Sequence, residues 1–201
     1  MTVSLIKQTS PGRLTVTLGN GEEIKTTLGV VTDMRLFSGK ELDAALTDEF
    51  RLSSRRALAR EKALEYLSRR PMSCAELKKK LLEKDFEEDT ADYCVLWLSE
   101  NALIDDESYA AAVARHYAAK GYGAGRIKSE LSKRGISREL WDGALDAAPD
   151  NSGKIDRFIS SRLTDPCDRA QIGKVSQALY RRGYSWEEIR EALSRFSAEA
   201  E

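Results

Sequence analysis

The hydrophobic rhythm of the chain changes near residue 50. Before that point apolar and polar residues alternate. Arg13 to Leu18 reads R-L-T-V-T-L and Glu22 to Leu28 reads E-E-I-K-T-T-L, on either side of Gly19-Asn20-Gly21. A period of two in β-branched residues, broken by a glycine-asparagine turn, predicts a β-hairpin. Gly29-Val30-Val31 reads as the start of a third short strand, Leu36 to Leu42 as a turn, and Asp43 to Phe50 as a short helix. A lone hairpin is marginal in water, so this N-terminal cap has to pack on a helix. It carries no recognisable site chemistry.

From Ser53 onward the period is helical. A helix headed by Ser53 or Ser54 places Ala59, Ala63 and Leu67 on one face and ends at Pro71. Ser73-x-x-Glu76 reads as a capping box before Leu77, Leu81 and Leu82. A further helix over Thr90 to Glu100 presents Tyr93, Cys94, Trp97 and Leu98. The plan then repeats. K-L-L-E-K-D-F, E-L-S-K-R-G-I and A-L-Y-R-R-G-Y end at residues 86, 136 and 184, which are 50 and 48 residues apart. After each comes a short helix, the second headed by Ser137 and the third by the capping box Ser185-x-x-Glu188. Asp165-Pro166 predicts a cap with proline at the first helical position, and Pro149 to Gly153 a linker. Trp97, Trp141 and Trp186 fall on the apolar faces of successive third helices, so all three are expected to be substantially buried.

The expected fold is therefore mainly α: tandem three-helix repeats stacked into an elongated, curved array, with a small N-terminal cap containing a β-hairpin. The expected divisions are 1–50 for the cap, 51–104, 105–148 and 154–201 for the repeats. At 201 residues, 41% hydrophobic and 32% charged, the chain can bury a real core. No apolar run of about 18 residues predicts a membrane span, and the N-terminus lacks the apolar stretch of a signal peptide, so a cytoplasmic location is expected. Cys74, Cys94 and Cys167 are scattered, form no C-x-x-C pair and accompany a single histidine, His116, which favours free thiols over a zinc site.

The net charge of −1 gives no nucleic-acid signal for the whole chain, but its distribution is uneven. Arg51 to Arg70 is rich in basic residues, whereas from Glu76 to Asp106 the balance reverses, with Glu83, Asp85, Glu87, Glu88, Asp89 and Asp92 among the acids. Gly121-Tyr122-Gly123-Ala124-Gly125 is neither a P-loop nor a dinucleotide fingerprint, since no strand precedes it, and it reads as a helix stop and tight turn. Asp105-Asp106 stands directly before a helix, where capping accounts for it. No enzyme chemistry and no cofactor are expected.

The stretch from Ile104 to Ile136 also carries a resemblance. Its D-D-x-x-Y, R-H-Y…K-G-Y-G-A-G-R-I and E-L-S-K-R-G-I, in that order and spacing, resemble the RecX family, regulators of RecA recombinase filaments. The resemblance covers about residues 57 to 196 and is firmest at Asp105, Asp106, Tyr109, Arg115, Gly121, Gly123, Arg126, Ile127, Leu131 and Gly135. Asp85 departs from it, standing where a glycine is expected before Phe86. The resemblance implies a monomer that binds the RecA filament and single-stranded DNA, with double-stranded DNA as a further ligand, and that restrains ATPase, strand-exchange and coprotease activities. The candidate contacts are Arg115, Arg126, Lys128, Lys133 and Arg134 in the second repeat and Lys174, Arg181 and Arg182 in the third. The lysines of the first repeat, Lys78, Lys79, Lys80 and Lys84, lie on the corresponding helix. Solvated helix faces explain any single one of these residues as well. A nucleic-acid-binding module independent of RecA, or a helical-repeat adaptor for a protein, are the alternatives.

Overall fold

The computed structural model describes residues 1–165 and 167–199. Two compact units emerge: residues 1–71 with 76–104, and residues 72–75 with the chain from 105 onward. No helix among the described residues is long and apolar enough to cross a membrane.

The first unit opens with an antiparallel sheet in the order β1 (Val3–Ser10), β2 (Arg13–Leu18), β3 (Glu23–Thr27). The hairpin forms around Gly19-Asn20-Gly21 as the alternation predicts. Val16 pairs with Ile24, the Leu18 N–H donates to the Glu22 carbonyl at 2.8 Å, and Gly21 adopts φ +85°, a turn conformation that suits glycine. The third strand, however, precedes the hairpin. β1 has an irregular register and leaves Leu5 exposed, so its sequence lacks a clean alternation. Gly29 to Val31, expected as a strand, lies in helix α1 (Leu28–Asp33), because the Thr27 hydroxyl accepts the Val30 N–H and caps a helical turn.

Helix α2 (Ala44–Arg69) is continuous where two helices were expected. Asp43 caps it by accepting the Leu46 N–H at 2.8 Å. Ser54, read as a cap, lies inside the helix, buried, and its hydroxyl donates to that of buried Thr26 on β3 at 2.9 Å. The first half of α2 gives Phe50 and Ala57 to a core shared with Val3, Val16, Leu18 and Leu42. Its second half packs on α4 (Glu88–Glu100), and Leu77 and Leu81 of α3 (Cys74–Leu82) are buried with Ala91, Cys94 and Leu98 of α4.

The second unit holds α5 (Asp106–Ala119), α6 (Ala124–Lys133), a 3-10 turn at Arg138–Leu140 and α7 (Trp141–Asp146) around Ala114, Ile127, Leu131 and Ile136. There follow α8 (Ser152–Ser160), α9 (Arg169–Arg181) and α10 (Trp186–Glu199) around Ile159, Val175, Leu179 and Ile189. Asp105 caps α5, accepting the Glu107 and Ser108 N–H groups at 2.9 and 3.1 Å, and those bonds, the Ser108 ones foremost, hold its carboxyl below the usual range. Asp106 instead accepts the Cys74 N–H at 2.8 Å. Ser185 and Glu188 satisfy each other's amides, as their spacing predicts. The expected linker is shorter than its composition suggests, because Ser152 and Gly153 already belong to α8. Of the expected Asp165-Pro166 cap, Pro166 lies outside the described residues. The N-cap of α9 is Asp168, which accepts from Ala170 and Gln171.

The repeat is plainest at the turn that closes each middle helix. Asp85, Gly135 and Gly183 all adopt left-handed φ, at +62°, +66° and +92°. In each turn the next residue's N–H reaches back five positions: Phe86 to Leu81, Ile136 to Leu131 and Tyr184 to Leu179, at 3.1–3.3 Å. A Cβ on Gly135 would stand 2.5 Å from the Ala75 Cβ, and one on Gly183 only 2.1 Å from the Arg126 nitrogen. Asp85 is exposed, so a side chain has room there. The departure at Asp85 therefore keeps the turn and lacks only the close packing that demands glycine.

Of the three tryptophans, Trp97 and Trp141 are half-buried, the latter donating its indole N–H to the Ile136 carbonyl at 3.1 Å. The expectation fails at Trp186, which is 51% exposed. As the first residue of α10 it precedes the inward positions taken by Ile189 and Ala192, and it stacks on Tyr180 with ring centroids 5.1 Å apart.

Candidate nucleic-acid and partner interface

Three of the five candidate cations of the second repeat gather on one carboxylate. Glu130 lies on the inner side of α6, and its side chain is only 8% exposed. It accepts from Arg134 at 2.8 Å, from Lys133 at 3.1 Å and from the Tyr117 hydroxyl of α5 at 3.0 Å, while Arg126 approaches to 3.1 Å. These donors, Arg134 foremost, outweigh the cost of burying the charge and pull its carboxyl down to about 2. Arg126, Lys133 and Arg134 stand at i−4, i+3 and i+4 from Glu130, a spacing visible in the sequence. Its burial, and the hydroxyl from a second helix, are not.

Lys128 faces Asp142 at 3.6 Å, a loose surface pair. Arg115, Lys174 and Arg181 are exposed and form no ion pair among the described residues. Arg182 is half-buried with its guanidinium over the rings of Phe158 and Tyr122, 4.6 and 5.9 Å from their centroids. Its counterpart in the second repeat, Arg134, pairs with Glu130 instead.

The basic run of the first unit is largely neutralised. Arg51 pairs with Glu22 and Asp48, Arg55 with Glu87, Lys62 and Arg69 with Glu65, and Arg70 with Glu76. Arg56 and Arg60 lie over Tyr93 and Trp97. Lys78 is held by Glu88 and Asp92 at 3.0 and 2.6 Å.

A basic surface absent from the sequence reading lies in the second unit. A cleft of about 360 Å³ is lined by Lys120, Lys154, Arg157 and Arg182 with Gly121, Phe158 and Tyr184, and no carboxylate borders it among the described residues. These cations come from the C-terminal ends of α5 and α9 and from along α8, more than thirty residues apart in part. Nearby, Gly123 and Gly125 donate their N–H groups to the Arg182 and Gly183 carbonyls at 3.0 and 2.9 Å, so the glycine-rich turn packs backbone to backbone on the α9–α10 turn.

Comparison with known proteins gives one family. Residues 59–98, 105–145 and 161–193 match the models of the first, second and third three-helix domains of RecX. The regulatory protein RecX of Xanthomonas axonopodis pv. citri is 36% identical over 142 residues, 69% of this chain and 87% of the relative. That of Vibrio parahaemolyticus is 28% identical over 139 residues, covering 68% and 90%. A crystal structure of regulatory protein RecX superposes with TM-score 0.73 at 26% identity over 96% of this chain and 98% of its own. RecX from Lactobacillus salivarius does so with TM-score 0.65 at 25% identity over 72% and 97%.

Proposed function

The chain belongs to the RecX family of regulatory proteins, and from that premise we propose that it binds the RecA–single-stranded DNA filament and restrains it. The observation that carries this reading is the succession of three RecX domains in family order across residues 59–193. The protein acts stoichiometrically in the cytoplasm, as a monomer, through binding energy and without covalent chemistry. Its targets are the filament's ATPase, strand-exchange and coprotease activities. Basic side chains of the second and third repeats, with Arg115, Lys174 and Arg181 exposed and Lys128 half-buried, meet phosphate or acidic filament side chains.

The test is ATP turnover by RecA on single-stranded DNA, titrated with this protein. Turnover falls as the protein approaches stoichiometry with filament protomers, and the protein alone hydrolyses nothing. Unchanged turnover at saturating, folded protein rejects the proposal.

A further inference from the structure

The cleft between α8 and the C-terminal ends of α5 and α9 gathers four cations with no carboxylate among its described lining residues. Two other clefts that gather cations also hold a carboxylate, Glu65 beside Lys62 in one and Glu188 beside Arg126 and Arg181 in the other. Here Lys120, Lys154, Arg157 and Arg182 line the walls without one. Part of the charge has a structural use. The Lys154 ammonium donates to the Ala118 and Ala119 carbonyls at 2.8 and 2.7 Å, closing the end of α5. The C-termini of α5 and α9 each add about half a negative charge, so the four cations still leave an excess of about three. Such an excess in a concave, low-dielectric wall focuses potential outward.

The geometry also selects the ligand. The Arg182 and Arg162 guanidiniums lie 4.6 and 4.0 Å from the centroid of the Phe158 ring, which orients them without a carboxylate and leaves N–H edges for an anion. With that ring engaged by arginines, the cleft offers charge and donors for phosphate and little for a base. The Tyr184 phenol borders the same cleft, 3% exposed, and its hydroxyl has no hydrogen-bond partner among the described residues. A buried polar group left unpartnered is the kind that a bound group completes.

We propose that this cleft seats the phosphodiester backbone of a single nucleic-acid strand, with Lys120, Arg157 and Arg182 as its phosphate contacts. The inference rests on the filament-binding reading for the identity of that strand and adds the surface that receives it.

Fluorescence anisotropy of labelled oligo(dT) across a salt series tests the proposal, comparing the full chain with its K120Q/R157Q variant. Both side chains are exposed, and glutamine keeps most of each stem. Two lost contacts make the slope of log affinity against log salt shallower by about 1.4 and weaken binding at 0.1 M salt on the order of 25-fold. The same loss is expected on a mixed-sequence strand. Should the pair lower the melting temperature, R157Q alone is expected to give a slope change of about 0.7 and a loss of about five-fold. No binding of the strand by the wild type, or an unchanged slope in a folded variant, overturns the proposal. It also falls if only filament binding weakens, since the cleft then meets protein carboxylates. Titration with sodium triphosphate covers the last case: binding lost there and retained for the strand makes the cleft a free-polyphosphate site. RecA ATP turnover with wild-type protein is read separately, so failure of the regulatory role is distinct from failure of the cleft.

Discussion

Glu130 shows how one side chain can redirect the meaning of its neighbours. Three cations that resemble a phosphate-binding row are drawn onto a buried carboxylate, whatever else their remaining donors touch. Its folded-state carboxyl, at about 2, lies below the ordinary value of 4.5. A depressed acid stabilises the fold above its unfolded value, and that contribution is lost as pH falls from about 4.5 through about 2. The linkage is worth about 2–3 kcal/mol at neutral pH. Urea unfolding of Glu130→Gln should therefore show a deficit against wild type at pH 7 that narrows by pH 3. A deficit independent of pH would mean that packing, not charge, sets the cost. Removal of Arg134 should be milder in the Glu130→Gln background, where no buried charge is left behind.

At the scale of elements, the repeated middle-helix turn separates what conformation requires from what packing requires. Asp85 reaches the left-handed region as a non-glycine residue, at a modest conformational cost. Gly183 has that conformation and also sits against the Arg126 backbone and side chain. Gly183→Ala should cost about 2–4 kcal/mol, strain and overpacking together. Gly173, inside α9 with open space around it, gives the contrast. Gly173→Ala should stabilise by about 0.5–1 kcal/mol, because alanine loses less backbone entropy in a helix. Chemical denaturation of the two variants side by side checks both signs.

At the scale of the molecule, the N-terminal sheet and α2 share one core. Val3, Val16 and Leu18 cover Phe50, and Thr26 binds Ser54 inside α2, so the strands are part of what keeps the first half of that helix ordered. The structural relative aligned over 96% of the chain extends into this region as well. Deletion of residues 1–27 should expose Phe50 and Ala57 and abolish hydrogen-exchange protection along 44–57. Protection in the second unit, which has its own cores, should persist. Retained protection in 44–57 would show that α2 needs no sheet.

The sequence by itself determined what acts within a few residues. The hairpin around Gly19-Asn20-Gly21, the Asp105 cap, the Ser185–Glu188 box and the glycine stops at Gly135 and Gly183 follow from turn chemistry, capping and periodicity. The i±4 arginines around Glu130 were equally legible as spacing. Tertiary structure decided burial and convergence. It carried α2 through Ser54, because Thr26 offered that serine a buried partner. It left Trp186 outside, since α10 buries the face three residues further on. It also gathered Lys120, Lys154, Arg157 and Arg182 around one cleft. Local preference reaches only about one helical turn, whereas that charge is assembled by packing three helices from distant parts of the chain.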